Sequence, residues 1–176
     1  MLQTILIIVA ILIAVILIYA ATRPNSFHVE RTTHINAQPE SIYPLIEDFR
    51  RWGPWSPYEK MDPDMKRSFS GTASGKGSVY AFEGNAKVGA GRLEIIETRE
   101  PSLVRITLDM IKPVKGHNVI NFMLQPKGSG TDVTWAMDGN SPYIAKVMGL
   151  FLNMDRMIGT AFEQGLAGLK AQTEPR

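Results

Sequence analysis

Three histidines, at 28, 34 and 117, are the side chains of this 176-residue sequence best suited to hold a metal or move a proton near neutral pH. Their spacing argues against a shared metal ion. His28 and His34 fall on one face of an alternating segment, and six residues at ~3.3 Å each put them roughly 20 Å apart. His117 stands alone beside a turn, so all three read as surface residues. The chain has no cysteine, which removes thiolate metal sites, disulfides and cysteine nucleophiles together. Gly71-Thr-Ala-Ser-Gly75-Lys76-Gly77 is one residue short of a phosphate loop and lacks Ser or Thr after the lysine. Gly84-Asn-Ala-Lys-Val-Gly89-Ala-Gly91 leads into a strand pattern rather than a helix, so it is no dinucleotide fingerprint. There is no Gly-x-Ser-x-Gly nucleophile motif. Arg92 and Glu94, two apart on one strand face, read as a solvated ion pair.

Polar residues on apolar faces carry more information. Arg31 shares its face with Phe27, Val29 and Ile35. If it points inward it needs an anionic partner or ligand group, and otherwise it snorkels to the sheet edge beside a membrane. Asn118 lies on the face of Ile120, Phe122 and Leu124, and Tyr80 lies beside Phe82. Between Arg31 and Tyr80 in the chain, Trp52, Trp55 and Tyr58 sit in a loop rich in glycine and proline. Three roles fit that loop: plugging one end of the core, gating a cavity mouth, or resting Trp55 in lipid headgroups. Methionines 148, 154 and 157 suit a core or an adaptable apolar pocket.

These residues are positioned by a recognisable order of elements. Residues 2–22 contain no side chain charged at neutral pH and thirteen Leu, Ile and Val. As a helix they span about 31 Å at ~1.5 Å per residue, against a hydrocarbon core of roughly 30 Å. A cleaved leader would need a basic start and a small residue three before the cut, whereas Ile18 or Tyr19 occupies that place. The segment is therefore expected to be an uncleaved single-pass anchor. Arg23 and Arg31 follow it, which by the positive-inside rule keeps the domain in the cytoplasm.

After a linker at 23–26, residues 27–36 alternate as a strand. Pro39 opens a helix carrying Ile42, Leu45, Ile46 and Phe49, and 52–63 is expected to be loop. Strand patterns follow at 66–70, 78–83, 88–98, 103–111, 118–125 and 131–138, separated by tight turns, which implies an antiparallel meander. Ser141-Pro142 starts a final apolar stripe, read as one continuous helix over 143–171. The net charge of +2 is spread without a basic stripe, so no nucleic-acid partner is indicated. The fold class is α+β, helices covering one face of a curved sheet.

At this level the chain resembles the SRPBCC (START-like) superfamily, in its polyketide cyclase/dehydrase and lipid-transport branch. The residues that carry the resemblance are Ile35-Asn-Ala-Gln-Pro39-Glu-Ser-Ile-Tyr, Phe49-Arg-Arg-Trp52-Gly-Pro-Trp55-Ser-Pro, Gly130-Thr-Asp-Val-Thr-Trp135 and Phe162-Glu-Gln-Gly-Leu166-Ala-Gly-Leu169-Lys. It covers 27–171, leaving 172–176 as a tail. The resemblance implies a helix-grip fold, with a seven-stranded antiparallel sheet wrapped around a long C-terminal helix and a cavity between them. An apolar small molecule such as a lipid, quinone or polyketide is the expected ligand, lined by Phe82, Phe122, Trp135, Phe151 and Met154, with Arg31, Tyr80 and Asn118 as polar points and Trp52 and Trp55 at one end. No cofactor and no metal is expected. The alternatives are a cyclase, dehydratase or hydrolase using the same cavity, in which Arg31, Tyr80 or Asn118 polarises a carbonyl, and a protein-interaction or stress-response module.

Overall fold

The alternating segments pair as their turns dictate. In the computed structural model, which describes residues 1–151 and 153–174, they form one antiparallel sheet. Its strands are β1 (Ser26–Ile35), β2 (Lys66–Gly71), β3 (Ser78–Glu83), β4 (Ala90–Arg99), β5 (Leu103–Lys112), β6 (Gly116–Lys127) and β7 (Gly130–Asn140). Spatial order is β1-β7-β6-β5-β4-β3-β2, so β2 to β7 run as a meander and β1 closes onto β7. Two register shifts in β4, at Ala90/Gly91 and Ile95/Glu97, bend the sheet. The result is the helix-grip-like α+β fold.

One face carries the core. Val29, Ile35, Leu93, Ile95, Val104, Ile106, Ile120, Phe122, Val133 and Trp135 alternate with exposed or half-exposed residues along their strands and are buried. Each such side chain contributes about 1.5–3 kcal/mol of transfer free energy. The outer face is polar. There His28, His34 and His117 each pair with an aspartate on the adjacent strand, at 2.7 Å to Asp138, 2.7 Å to Asp132 and 2.6 Å to Asp109. Cross-strand register sets all three pairs, and none faces the helices. Arg92 and Glu94 also pair, at 2.7 Å.

Helix α1 (Leu2–Thr22) precedes the sheet, and only Ala20 on it is buried. Helix α2 (Pro39–Glu47) buries Ile42, Tyr43 and Ile46, then passes into a single 3-10 turn, Phe49–Arg51. The stretch expected as loop contains a short helix, α3 (Pro57–Met61), started by its N-terminal proline. The C-terminal stripe is not one helix but two, α4 (Tyr143–Met148) and α5 (Met154–Thr173). The signals for the break are local. Gly149 caps α4, and the Asn153 side chain accepts from the Arg156 N–H at 2.9 Å to start α5. Apolar periodicity runs through the break because α4 and α5 cover different partners. Helix α4 lies on α1, whereas α5 crosses β1 and β7. The last helix also extends two residues past the expected 171, and residues 175 and 176 of the expected tail lie outside the described residues.

Candidate functional site

The space between α5 and the sheet is organised by tryptophans. Helix α2 ends with carbonyls that its own backbone cannot pair, and two indoles answer them. Trp52 Nε1–H donates to Ile46 O and Trp55 Nε1–H to Leu45 O, each at 3.0 Å. This places both rings inside, with Trp55 fully buried and Trp52 nearly so. The reading in which Trp55 rests in lipid headgroups is therefore wrong, and the core-plug reading fits. Trp55 meets Trp52 at 5.0 Å between ring centroids, Phe122 at 6.0 Å and Trp135 at 5.8 Å. Trp135 packs against Phe122 at 4.7 Å and stacks on Phe162 of α5 at 4.3 Å.

Glycines let α5 come this close. A Cβ on Gly165 would stand 2.5 Å from Trp135 Cζ3, and one on Gly168 would stand 2.6 Å from the Trp55 carbonyl oxygen. Helix and sheet are thus in direct contact at Gly165, where the resemblance implied a cavity between them. Trp135 is 1% exposed, and its Nε1–H has no hydrogen-bond acceptor among the described residues. An unpaired buried N–H costs about 1–3 kcal/mol, so this donor needs an explanation. Beside Trp55, an open hollow of about 340 Å³ is bordered by Pro57, Lys60, Met61 and Gln164.

The polar candidates are engaged. Arg31 faces α5, where Gly159 leaves room for its guanidinium. Nε donates to Glu163 at 2.8 Å, Nη1 to Glu30 O at 2.8 Å and Asp155 Oδ1 at 3.3 Å, and Nη2 to Asp155 Oδ2 at 3.0 Å and Asp155 O at 3.3 Å. An arginine has five N–H donors, and all five are in use. Arg31 is a strut between β1 and α5. Its guanidinium holds the Asp155 carboxyl below the usual range. The sequence hinted at an inward arginine but not at its partners, because Glu163 falls off the apolar stripe.

Tyr80 is buried and donates its hydroxyl to Glu59, which also accepts from Arg67 Nε at 2.7 Å. Glu59 is a residue sequence reasoning missed, since α3 lies where a loop was expected. Burial raises the Tyr80 pKa, and the Glu59 carboxylate raises it further. Burial pushes Tyr58, on the same short helix, up to about 12. Both phenols are neutral in the folded chain well past the usual tyrosine pKa of about 10. Their folded pKa exceeds the unfolded one, so the stability they contribute is complete below pH about 10 and is lost as pH climbs through the folded values, about 12 for Tyr58. Burial raises Tyr43 as well, so phenolate absorbance should show three tyrosines titrating only together with alkaline unfolding, and Tyr58→Phe should remove one of them. All five tyrosines titrating near pH 10 with the fold intact would contradict this.

The remaining candidates scatter. Phe82 is half-buried, its ring over Gly91, where a Cβ would stand 2.8 Å from Phe82 Cζ. Asn118 is buried at the far end of the same face, its amide oxygen over Gly139 beside the Phe27 ring. Met154 is half-buried as the first residue of α5, and Phe151 is 71% exposed in the break before it. Trp52, Trp55, Phe122 and Trp135 come together, then, whereas Arg31 and Asn118 flank them and Phe151 faces outward. Among the described residues no three His, Asp or Glu side chains are grouped to hold a metal ion.

A family model described as polyketide cyclase/dehydrase and lipid transport matches residues 26–174. No curated protein matches the chain. Among solved structures it is similar to a protein of Chromobacterium violaceum (19% identity, TM-score 0.61, covering 88% of this chain and 100% of that one). It is similar also to ginseng major latex-like protein 151 from Panax ginseng (14%, 0.60, 86% and 100%) and to the Aha1 dimer from Colwellia psychrerythraea (20%, 0.56, 84% and 96%). At these identities the likeness is one of fold.

Proposed function

This chain belongs to the polyketide cyclase/dehydrase and lipid-transport family, and from that premise we propose that its domain binds an apolar small molecule while α1 holds it to a membrane. The observation that carries the ligand is the unpartnered Trp135 Nε1–H in the middle of a buried aromatic tier. A ligand with one oxygen acceptor on an apolar body (a quinone, polyketide or lipid carbonyl) would pair that donor and cover the rings around it. The hollow beside Trp55 is the way in. Entry requires α5 to draw back from Trp135, which opens the Trp135–Phe162 stack. Helix α1 is long and apolar enough to span a bilayer, with the domain on the cytoplasmic side by its flanking arginines.

Binding is favoured over catalysis by the state of the polar groups. Arg31 spends four donors on α5 and the fifth on Glu30 O, and the Tyr80 hydroxyl is committed to Glu59, so neither is free to polarise a substrate carbonyl. Native mass spectrometry of the full chain, released from its own membranes in mild detergent, should show an adduct of a few hundred daltons. For the purified chain, a naphthoquinone should bind more tightly than naphthalene, and Trp135→Phe should cost the quinone about tenfold, the worth of one hydrogen bond, while sparing the hydrocarbon. Equal loss for both probes, or no binding of either, would overturn the reading.

A further inference from the structure

Helix α4 and the turn after it form an apolar surface that the ligand site does not use. Helix α4 packs on the C-terminal part of α1, where Ile16 and Ala20, one helical turn apart, are the covered residues. The Tyr143 hydroxyl donates to Leu17 O at 2.8 Å, and Lys146 Nζ to Asn25 Oδ1 at 2.5 Å. Meanwhile Ile144 (53%), Met148, Phe151 (71%) and Met157 are exposed, an apolar display that a soluble surface does not ordinarily carry.

The level of this patch along α1 says what covers it. The helix is about as long as a hydrocarbon core is thick, so its ends lie near the two boundaries. Leu17 is five residues from Thr22, about 7 Å along the axis at ~1.5 Å per residue. An interfacial helix buries its apolar face ~5–10 Å into the headgroup and acyl boundary, which is the same level. The residues around it are those of a membrane–water interface: the Arg23 guanidinium lies 5.9 Å from the centre of the Tyr19 ring, with Tyr143 and Lys146 close by.

We infer that α4, Phe151 and the first turn of α5 are a second membrane element, lying in the bilayer interface against the anchor, with Ile144, Met148 and Phe151 among the acyl chains. The inference rests on the reading of α1 as a membrane span. It fixes the tilt of the domain, because β7 ends two residues before α4 and α4 itself packs on α1. It also sets the Phe27, Gly139 and Asn118 end of the sheet–helix interior toward the lipid, since Ser141 N–H bonds Asn25 O across that end. The partner is the bilayer itself.

The cysteine-free chain suits spin labelling. The full chain would be reconstituted into phosphatidylcholine vesicles, with and without phosphatidylglycerol, carrying one label at Ile11→Cys, Ile144→Cys, Phe151→Cys or Ser68→Cys. Collisions with oxygen and with a water-soluble nickel chelate report depth. The expected order is Ile11 deepest, Ile144 and Phe151 shallow but lipid-immersed, with oxygen-to-nickel ratios several-fold above Ser68. If Ile11 is deep and both α4 sites match Ser68, the span stands and the interfacial helix is overturned. If Ile11 itself is aqueous, the membrane reading falls and takes the inference with it. Spin–spin broadening at 144 or 151 that disappears on dilution with unlabelled chain would assign the patch to a second copy and overturn the bilayer as its partner.

Discussion

Gly165→Leu should destabilise the domain by about 3 kcal/mol, at the upper end of what overpacking a core costs. The Cβ alone would stand 2.5 Å from Trp135 Cζ3 and 3.1 Å from Pro57 Cδ, and neither neighbour is the loose end of a flexible chain. The gain in helix propensity on leaving glycine, about 1 kcal/mol, offsets only part of this. Trp135→Ala on its own should cost about 3–5 kcal/mol through the space it leaves. Together the two changes should cost less than their sum by about 1–3 kcal/mol, since the leucine enters the volume the indole vacates. Urea unfolding of the full chain in detergent, followed by far-ultraviolet circular dichroism, reads all three values. An unchanged midpoint for Gly165→Leu, accompanied by loss of ligand uptake, would mean that open space lies there and that α5 is not in contact with Trp135.

Arginines at Ile8 and Ile11 should release the chain from the membrane. Thirteen Leu, Ile and Val at about −0.3 to −0.6 kcal/mol each favour insertion of α1 by roughly 4–8 kcal/mol. Two central arginines oppose it by about 5–7 kcal/mol and remove two of the thirteen, which brings the balance to near zero or beyond. The parent should remain in the pellet through carbonate washing, and the Ile8→Arg/Ile11→Arg chain should appear in the supernatant. A parent found in the supernatant about twenty residues shorter would identify α1 as a cleaved leader.

The fold was legible because its signals are local. Alternation over 103–111 and 131–138 marks strands with one wet face, and tight turns between successive strands leave little but a meander. The aromatic tier was partly legible for the same reason: Trp52 and Trp55 follow closely on a helix end, Phe122 and Trp135 hold inward strand positions, and Phe162 lies on the apolar stripe of α5. The boundary errors came where two signals overlapped. Apolar periodicity ran on through 149–153 and hid the break that Gly149 and Asn153 create, and a proline-rich loop hid α3 with its Glu59.

What the sequence determined by itself was the antiparallel meander, the uncharged stretch at 2–22 and the inward placement of Phe122 and Trp135, all properties of period, length and hydropathy. The tertiary structure alone decided which polar side chains were spent. Arg31 looked available from β1, and only the crossing of α5 at Gly159 brings Asp155 and Glu163, more than a hundred residues away, onto four of its five donors. It also decided that Trp135 lacks an acceptor and that α4 lies on α1, because hydrogen-bond saturation and helix docking depend on distances between distant segments. Periodicity reports which way a side chain points and not what it meets there.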